Sequence, residues 1–243
     1  MWWSNLFTDM SPANFFNFSF LPKYGQFFIQ GIEYTLLLAV VSVALAVIPA
    51  LLLALMRLSK NRVVKWISGA YIAVFRSTPL LVQLSIIYFG LFGVVSIPRV
   101  TILGFVDISR FIPGVVALAL NSSAYVAEIF RSGILAVDVG QTEAARSLGL
   151  NAASSMRLVV LPQAIKNVLP ALANEVVTMV KESSICSMLG MAELMFAAKA
   201  VASATYITLA PYTIAALIYF CINYPASKGI EAIERRMRRG DKH

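Results

Sequence analysis

Between Tyr34 and Met56 no charged residue interrupts a run of Leu, Val, Ala and Ile. A membrane-spanning helix needs roughly 20 predominantly apolar residues, so this run predicts a first span. Pro49 lies inside it, which a bundle tolerates because neighbouring helices satisfy the freed carbonyl. The next apolar region, Trp66 to Ile97, is interrupted by "FRSTP" at Phe75 to Pro79 and predicts a tilted or broken second span. Phe111 to Phe130 predicts a third, with Glu128 near its end. Ile165 to about Met188 is a fourth span studded with polar residues, and Thr205 to Pro225 a fifth. The weakly apolar Met191 to Ala204 reads as a short surface helix. The opening stretch has no basic region followed by a continuous apolar core, so it predicts no cleavable signal peptide. It carries Trp2, Trp3, Phe7, Phe15, Phe16, Phe18 and Phe20, residues suited to the headgroup level. Residues 1–26 are therefore expected to form an extracytoplasmic interfacial arm.

Composition agrees with the bilayer as solvent. Of 243 residues 59% are hydrophobic and 13% charged, against about a quarter charged in soluble domains. The formal net charge of +8 is concentrated after span one (Arg57, Lys60, Arg62, Lys65) and in the tail (Lys228, Arg235, Arg236, Arg238, Arg239, Lys242). Lys and Arg accumulate in cytoplasmic loops. Five spans then place the amino terminus outside and the carboxyl terminus in the cytoplasm, and topology accounts for the charge without nucleic acid. In the tail, 227–243, Ile230, Ile233 and Met237 share a helical face, and Glu231–Arg235 and Glu234–Arg238 are spaced as i,i+4 pairs, which predicts an amphipathic helix on anionic headgroups. Cys186 and Cys221 have no metal-ligand spacing and read as small buried hydrophobes. His243 is the only histidine. No catalytic constellation is present, so the chain is not expected to be an enzyme, and no metal site is expected.

One cytoplasmic segment has the wrong composition for a span: "GQTEAARSLGLNAASSMRLVVLPQ", Gly140 to Gln163. Asp138 and Gln141 have the spacing of a capping box. Val139 to Leu148 is expected to be helical and Gly149 to end the helix in a left-handed conformation. Ala144 and Ala145 give that helix a side with little bulk, and Glu143 offers a charge. Asn151 to Val160 is expected to be a second short helix, with Pro162 marking the turn back to the membrane. Such an element suits docking, although composition alone favours a solvated loop helix joining two spans.

The order Glu143-Ala144-Ala145, three residues, Gly149, nine residues, Val159, one residue, Leu161-Pro162 resembles the EAA motif of bacterial ABC import permeases, EAA-x3-G-x9-I-x-LP. Val159 in place of Ile is the one departure. "FRSTPLLVQLSIIYFG", "SSAYVAEIFRSGI" and "NEVVTMVKESSI" resemble segments of the branch serving polar amino acids (histidine, arginine, glutamine and glutamate systems), although that branch more often has Asp-Thr where Glu182-Ser183 stands here. The resemblance covers about Gly31 to Pro225. It implies an all-α integral membrane permease of the type I importer fold, a domain over 27–226, and a coupling helix in the loop about 135–162. It also implies two copies of a separate ATPase, a second permease subunit identical or related, an extracytoplasmic solute-binding protein, and residence in the bacterial cytoplasmic (inner) membrane. Glu143, Ala144, Ala145, Arg146, Gly149, Leu161 and Pro162 would then serve ATPase coupling. The sequence has no G-x-x-x-x-G-K-[ST] phosphate loop, so ATP and Mg are expected on the partner and no cofactor on this chain.

Ionisable and polar residues within spans are candidates for the substrate path. Arg76, Thr78 and Gln83 lie around the break in span two. Asn121, Tyr125 and Glu128 share a face of span three, with Ser122 beside them. Glu175, Thr178, Met179 and Glu182 share a face of span four, flanked by Lys181 and Ser183. Arg76, Thr78, Asn121 and Ser122 could donate to a substrate carboxylate, and Glu175 or Glu182 could accept from its ammonium. Each could equally hold helices together: Arg76 could pair with Glu128 or Glu182, and Asn and Ser often bond between spans. The rival functional classes are an ion-gradient-driven secondary transporter, which internal inverted repeats would favour and for which none are evident, and a receptor or scaffold without transport.

Overall fold

The structure is a computed structural model that describes residues 17–95 and 97–239. Most of the expected aromatic arm lies outside these residues. Its last part does not stand apart, because helix α1 (Leu21–Leu58) begins inside it, with Pro22 in the first turn where a missing N–H costs nothing. At 1.5 Å per residue this 38-residue helix is longer than the bilayer core is thick. Helix α2 (Arg62–Ser77) follows, then α3 (Leu80–Ser85), which continues through a wide π-helical turn at Ile86–Leu91 to Phe92–Val94. Strands β1 (Thr101–Ile102) and β2 (Val106–Asp107) form a small antiparallel hairpin that hydropathy does not foreshadow. Then come α4 (Ile108–Leu135), α5 (Val139–Ser147), α6 (Ala152–Ser155) with a π-helical turn at Met156–Val160, α7 (Leu161–Glu182) with a 3-10 extension at Ser183–Leu189, α8 (Leu194–Thr205) and α9 (Ala210–Arg239).

Among the described residues α1 and α4 are each long and apolar enough to cross a membrane, and two bent pairs count as further spans if each is one crossing. The α2–α3 pair bends by 106° at the expected break. Pro79 forces the preceding residue out of the helical region, and Thr78 is accordingly extended. Helix α9 does not count among these spans, although its segment 210–225 is uncharged.

The core forms where α1 crosses α4 and α7. Tyr34, Leu38, Leu84, Leu118, Met179 and Met191 are almost completely buried there, and the Tyr34 ring meets Phe111 edge-on at 5.6 Å. The row Ile48, Leu52 and Leu55 on α1 stays exposed, as a lipid-facing row must.

Helix α8 corrects an expectation. It is not a surface helix: Leu194, Ala197, Ala198 and Val201 are buried. A Cβ placed on Gly31 of α1 would lie 2.9 Å from the Leu194 Cα and 3.3 Å from the Ala197 Cβ, and the Leu194 N–H donates to Thr35 Oγ1 at 3.1 Å. Gly31→Ala should therefore lower the thermal unfolding midpoint of the purified protein, by an amount equivalent to about 1–3 kcal/mol. An unchanged midpoint would show that the two helices separate at no cost.

The tail also differs. It is no separate helix, because α9 runs unbroken to Arg239. Glu231 pairs with Lys228 at 2.9 Å rather than with Arg235, and that hydrogen bond holds its carboxyl below the usual range. The Arg238 side chain lies outside the described part. Ile233 is exposed, whereas Met237 and Glu234 turn back against Lys166 and Asn167 of α7 and Ser132 of α4, around a cleft of about 250 Å3. Cys186 is buried as expected, but Cys221 is exposed.

Candidate functional site: the coupling loop and the polar residues of the spans

Asp138 caps α5, but not as a capping box. Its Oδ1 accepts the Gly140 N–H at 2.8 Å, and the Gln141 side chain instead accepts from Gln163 at 3.3 Å. The far end is a Schellman motif: the Gly149 N–H donates to Arg146 O and the Leu150 N–H to Ala145 O, with Gly149 at φ +89°. Asn151 then caps α6 through the Ser154 N–H at 2.9 Å.

Pro162 is not the turn expected of it. The chain passes from α6 through the π-helical turn into α7 without reversing. Proline offers no N–H to the carbonyl four residues back; the ladder shifts, with the Leu161 N–H reaching Met156 O. The Gln163 amide takes up Val159 O at 3.0 Å.

The paired alanines part company. Ala145 is buried, while Glu143, Ala144 and Arg146 are exposed. Successive helical residues point about 100° apart, so one alanine is turned inward and the other faces away. Glu143 and Arg146 form no ion pair among the described residues. Leu148 is 85% exposed. The outer face of α5 is thus small at one position, charged at two, and apolar at its end.

The intramembrane candidates separate into two groups. Those the structure commits to its own helices come first. Phe75 O would normally accept from residue 79, but residue 79 is proline. The buried Gln83 supplies the missing donor: its Nε2 lies 2.8 Å from Phe75 O, 3.0 Å from Thr78 O and 2.7 Å from Thr78 Oγ1. Its Oε1 accepts from Asn121 Nδ2 at 2.8 Å. Thr78 Oγ1 also donates to Val74 O at 2.8 Å. Buried Ser122 donates to buried Glu175 at 2.8 Å. Ser183 donates to Val180 O. Glu128 accepts from Arg131 at 2.9 Å and lies 3.8 Å from Arg57.

Arg76, Thr178, Lys181 and Glu182 form the second group. Each is at least partly exposed. Arg76 pairs with neither Glu128 nor Glu182; its guanidinium lies 5.3 Å from the Tyr125 ring centroid, a cation–π contact. Lys181 and Glu182 form no ion pair with another helix among the described residues.

Glu193 is a polar centre that sequence reasoning missed. It is fully buried. Its carboxylate accepts the Met195 and Phe196 N–H groups at 2.8 and 2.7 Å and the Tyr219 hydroxyl at 2.9 Å, tying the start of α8 to α9. The available signal was an acidic residue immediately before an apolar helix.

The chain matches a family described as the inner membrane component of binding-protein-dependent transport systems, over residues 42–239. It belongs to that family. The permease is 42% identical over 215 residues to the arginine transport system permease protein ArtQ of Bacillus subtilis, covering 88% of this chain and 94% of that one. It is 34% identical over 223 residues to a "Probable glutamine ABC transporter permease protein GlnM" of the same organism, covering 92% and 99%. Its structure is similar to that of an amino acid ABC transporter "with histidines", with TM-score 0.81 and 47% identity over 90% of this chain and 98% of the other. The all-helical membrane permease fold and residence in the inner membrane are thereby shown, and this chain is the membrane subunit of an ABC importer rather than its ATPase.

Proposed function

We propose that this permease forms half of the transmembrane path of an importer for a polar amino acid, and that α5 is the helix through which a separate ATPase drives it. The observation that carries the reading is α5 itself. It is a capped helix whose outer face presents Glu143, Ala144 and Arg146, with no ion pair for either charge among the described residues. Gly149 ends it so that α6 and α7 return as one rod. Force applied to α5 therefore reaches α7, which carries Thr178, Lys181 and Glu182. The arginine and glutamine relatives support the substrate class.

A second permease copy, identical or related, completes the path, and an extracytoplasmic binding protein delivers substrate. Arg76 is the donor for the substrate carboxylate and Glu182 the acceptor for its ammonium; Thr178 and Lys181 line the same route. Five crossings, with segment 210–225 of α9 as the fifth, put α5 and both basic clusters in the cytoplasm.

The test is to isolate the permease gently from native membranes through a carboxyl-terminal tag. An ATPase with a phosphate loop should co-purify, and deleting its gene should abolish uptake. A permease that comes alone under several mild detergents, or uptake that survives the deletion, overturns the coupling and brings gradient-driven transport forward.

A further inference from the structure

The corner where α1 turns into α2 carries positive charge that is mostly unpaired among the described residues. Arg57, Lys60, Arg62 and Lys65 follow one another with no acidic residue between them. Lys60, Arg62 and Lys65 are exposed, and their side chains form no ion pair among the described residues. Arg57 is only loosely satisfied. Its Nε is buried without a hydrogen-bond partner, and the nearest carboxylate oxygen, on Glu128, is 3.8 Å away. That carboxylate is already clasped by Arg131 at 2.8 and 2.9 Å. The Arg57 guanidinium also lies against α2, where a Cβ on Gly69 would come 3.0 Å from its Nη1. One carboxylate thus faces two guanidiniums, and beside them stand three cations with no ion pair among the described residues.

The surroundings of this charge are apolar and uncovered. Val63 is 64% exposed, Trp66 72% and Ile67 49%. They sit among Arg62 and Lys65 on the first turns of α2, close in sequence to Leu52, Leu55 and Leu58, which are exposed on the last turns of α1. The uncovered apolar side chains of α2 thus follow within a few residues of the lipid-facing row at the end of α1. Tryptophan favours the headgroup level, and long basic side chains reach from an apolar stem to a charged boundary.

We propose that this corner binds an anionic phospholipid. The headgroup phosphate is held by Lys60, Arg62 and Lys65 with Arg57 beneath them, Trp66 lies at the glycerol level, and an acyl chain follows Val63, Ile67 and the end of α1. A soluble protein partner fits less well, because the cations alternate with side chains that belong to the hydrocarbon-facing surface. The assignment holds in whichever leaflet the corner lies and so does not rest on the orientation or the substrate proposed above. Binding anchors the end of α2 opposite its break at Ser77–Pro79, which couples membrane composition to the broken span.

The experiment uses the detergent-purified permease complex, supplied with phosphatidylglycerol or phosphatidylcholine and examined by native mass spectrometry. Wild type should retain phosphatidylglycerol preferentially. Each basic residue near an anionic surface contributes about 1 kcal/mol, so K60Q/R62Q/K65Q should lower that preference by roughly a hundredfold. Trp66→Ala should weaken retention of both lipids while leaving the headgroup preference in place. Matched thermal unfolding of wild type and variants shows that each is folded. Equal retention of both lipids by wild type, an unchanged preference in the triple variant, or displacement of phosphatidylglycerol by inorganic phosphate alone overturns the lipid site.

Discussion

Gly149→Asp should leave the permease in the membrane at near-normal amount and abolish ATP-driven uptake. The position explains both halves. Gly149 sits at φ +89° with no atom within 4 Å of where a Cβ would stand, so the side chain meets nothing in its own chain. The backbone cost is on the order of 1–2 kcal/mol and smaller for Asp, which tolerates the left-handed region. That is too little to unfold the bundle. The new side chain and its charge project where α5 ends, beside the exposed Leu148 and Arg146, on the face assigned to the ATPase. Gly149→Asn separates geometry from charge: it keeps the left-handed conformation without the anion and should retain most uptake. Transport assays on membranes with matched permease content decide it. Uptake by the Asp variant above about a tenth of wild type, a loss of under ~1.4 kcal/mol, would sink the docking assignment.

Gln83→Leu should cost more stability than any other single change among the candidate path residues. The substitution leaves Phe75 O facing a proline that cannot donate, deprives Thr78 of a donor, and leaves Asn121 Nδ2 without its acceptor. Each buried polar group left unsatisfied costs about 1–3 kcal/mol, so a total of roughly 3–5 kcal/mol is expected, comparable with the net stability of a domain. The readout is the thermal unfolding midpoint in detergent. Adding Asn121→Leu should recover part of the loss, because removing both partners of a buried bond is cheaper than removing one. If the midpoint of Gln83→Leu stayed unchanged while uptake collapsed, Gln83 would be a substrate contact and not a brace for the break.

These two residues show how unevenly the site could be read beforehand. Gly149 was legible because its role is local: a capped helix, a left-handed stop and a spaced motif all lie within one short stretch. Gln83 was legible only as a polar residue in a span. Its partner Asn121 is 38 positions away, and the partner of Ser122 is 53 positions away. A sequence without its fold does not say which of two distant polar groups meet. Ala144 and Ala145 give the same lesson at closer range, since the motif treats them alike and the helical rotation assigns them opposite surroundings.

What the sequence determined by itself is everything set by neighbours along the chain: the apolar runs, the break before Pro79, the helix between its cap Asp138 and its stop Gly149, and the membrane as solvent. What only the tertiary structure decided is which faces are covered. Lipid tails and the sides of other helices are equally apolar, so hydropathy does not separate them. Hence α8 could pass for a surface helix while burying Leu194 and Val201, and Glu193 could be overlooked though three donors converge on it. The α9 tail, by contrast, has polar positions that suit water as well as its own bundle. Only packing shows that Glu234 and Met237 turn inward against α4 and α7.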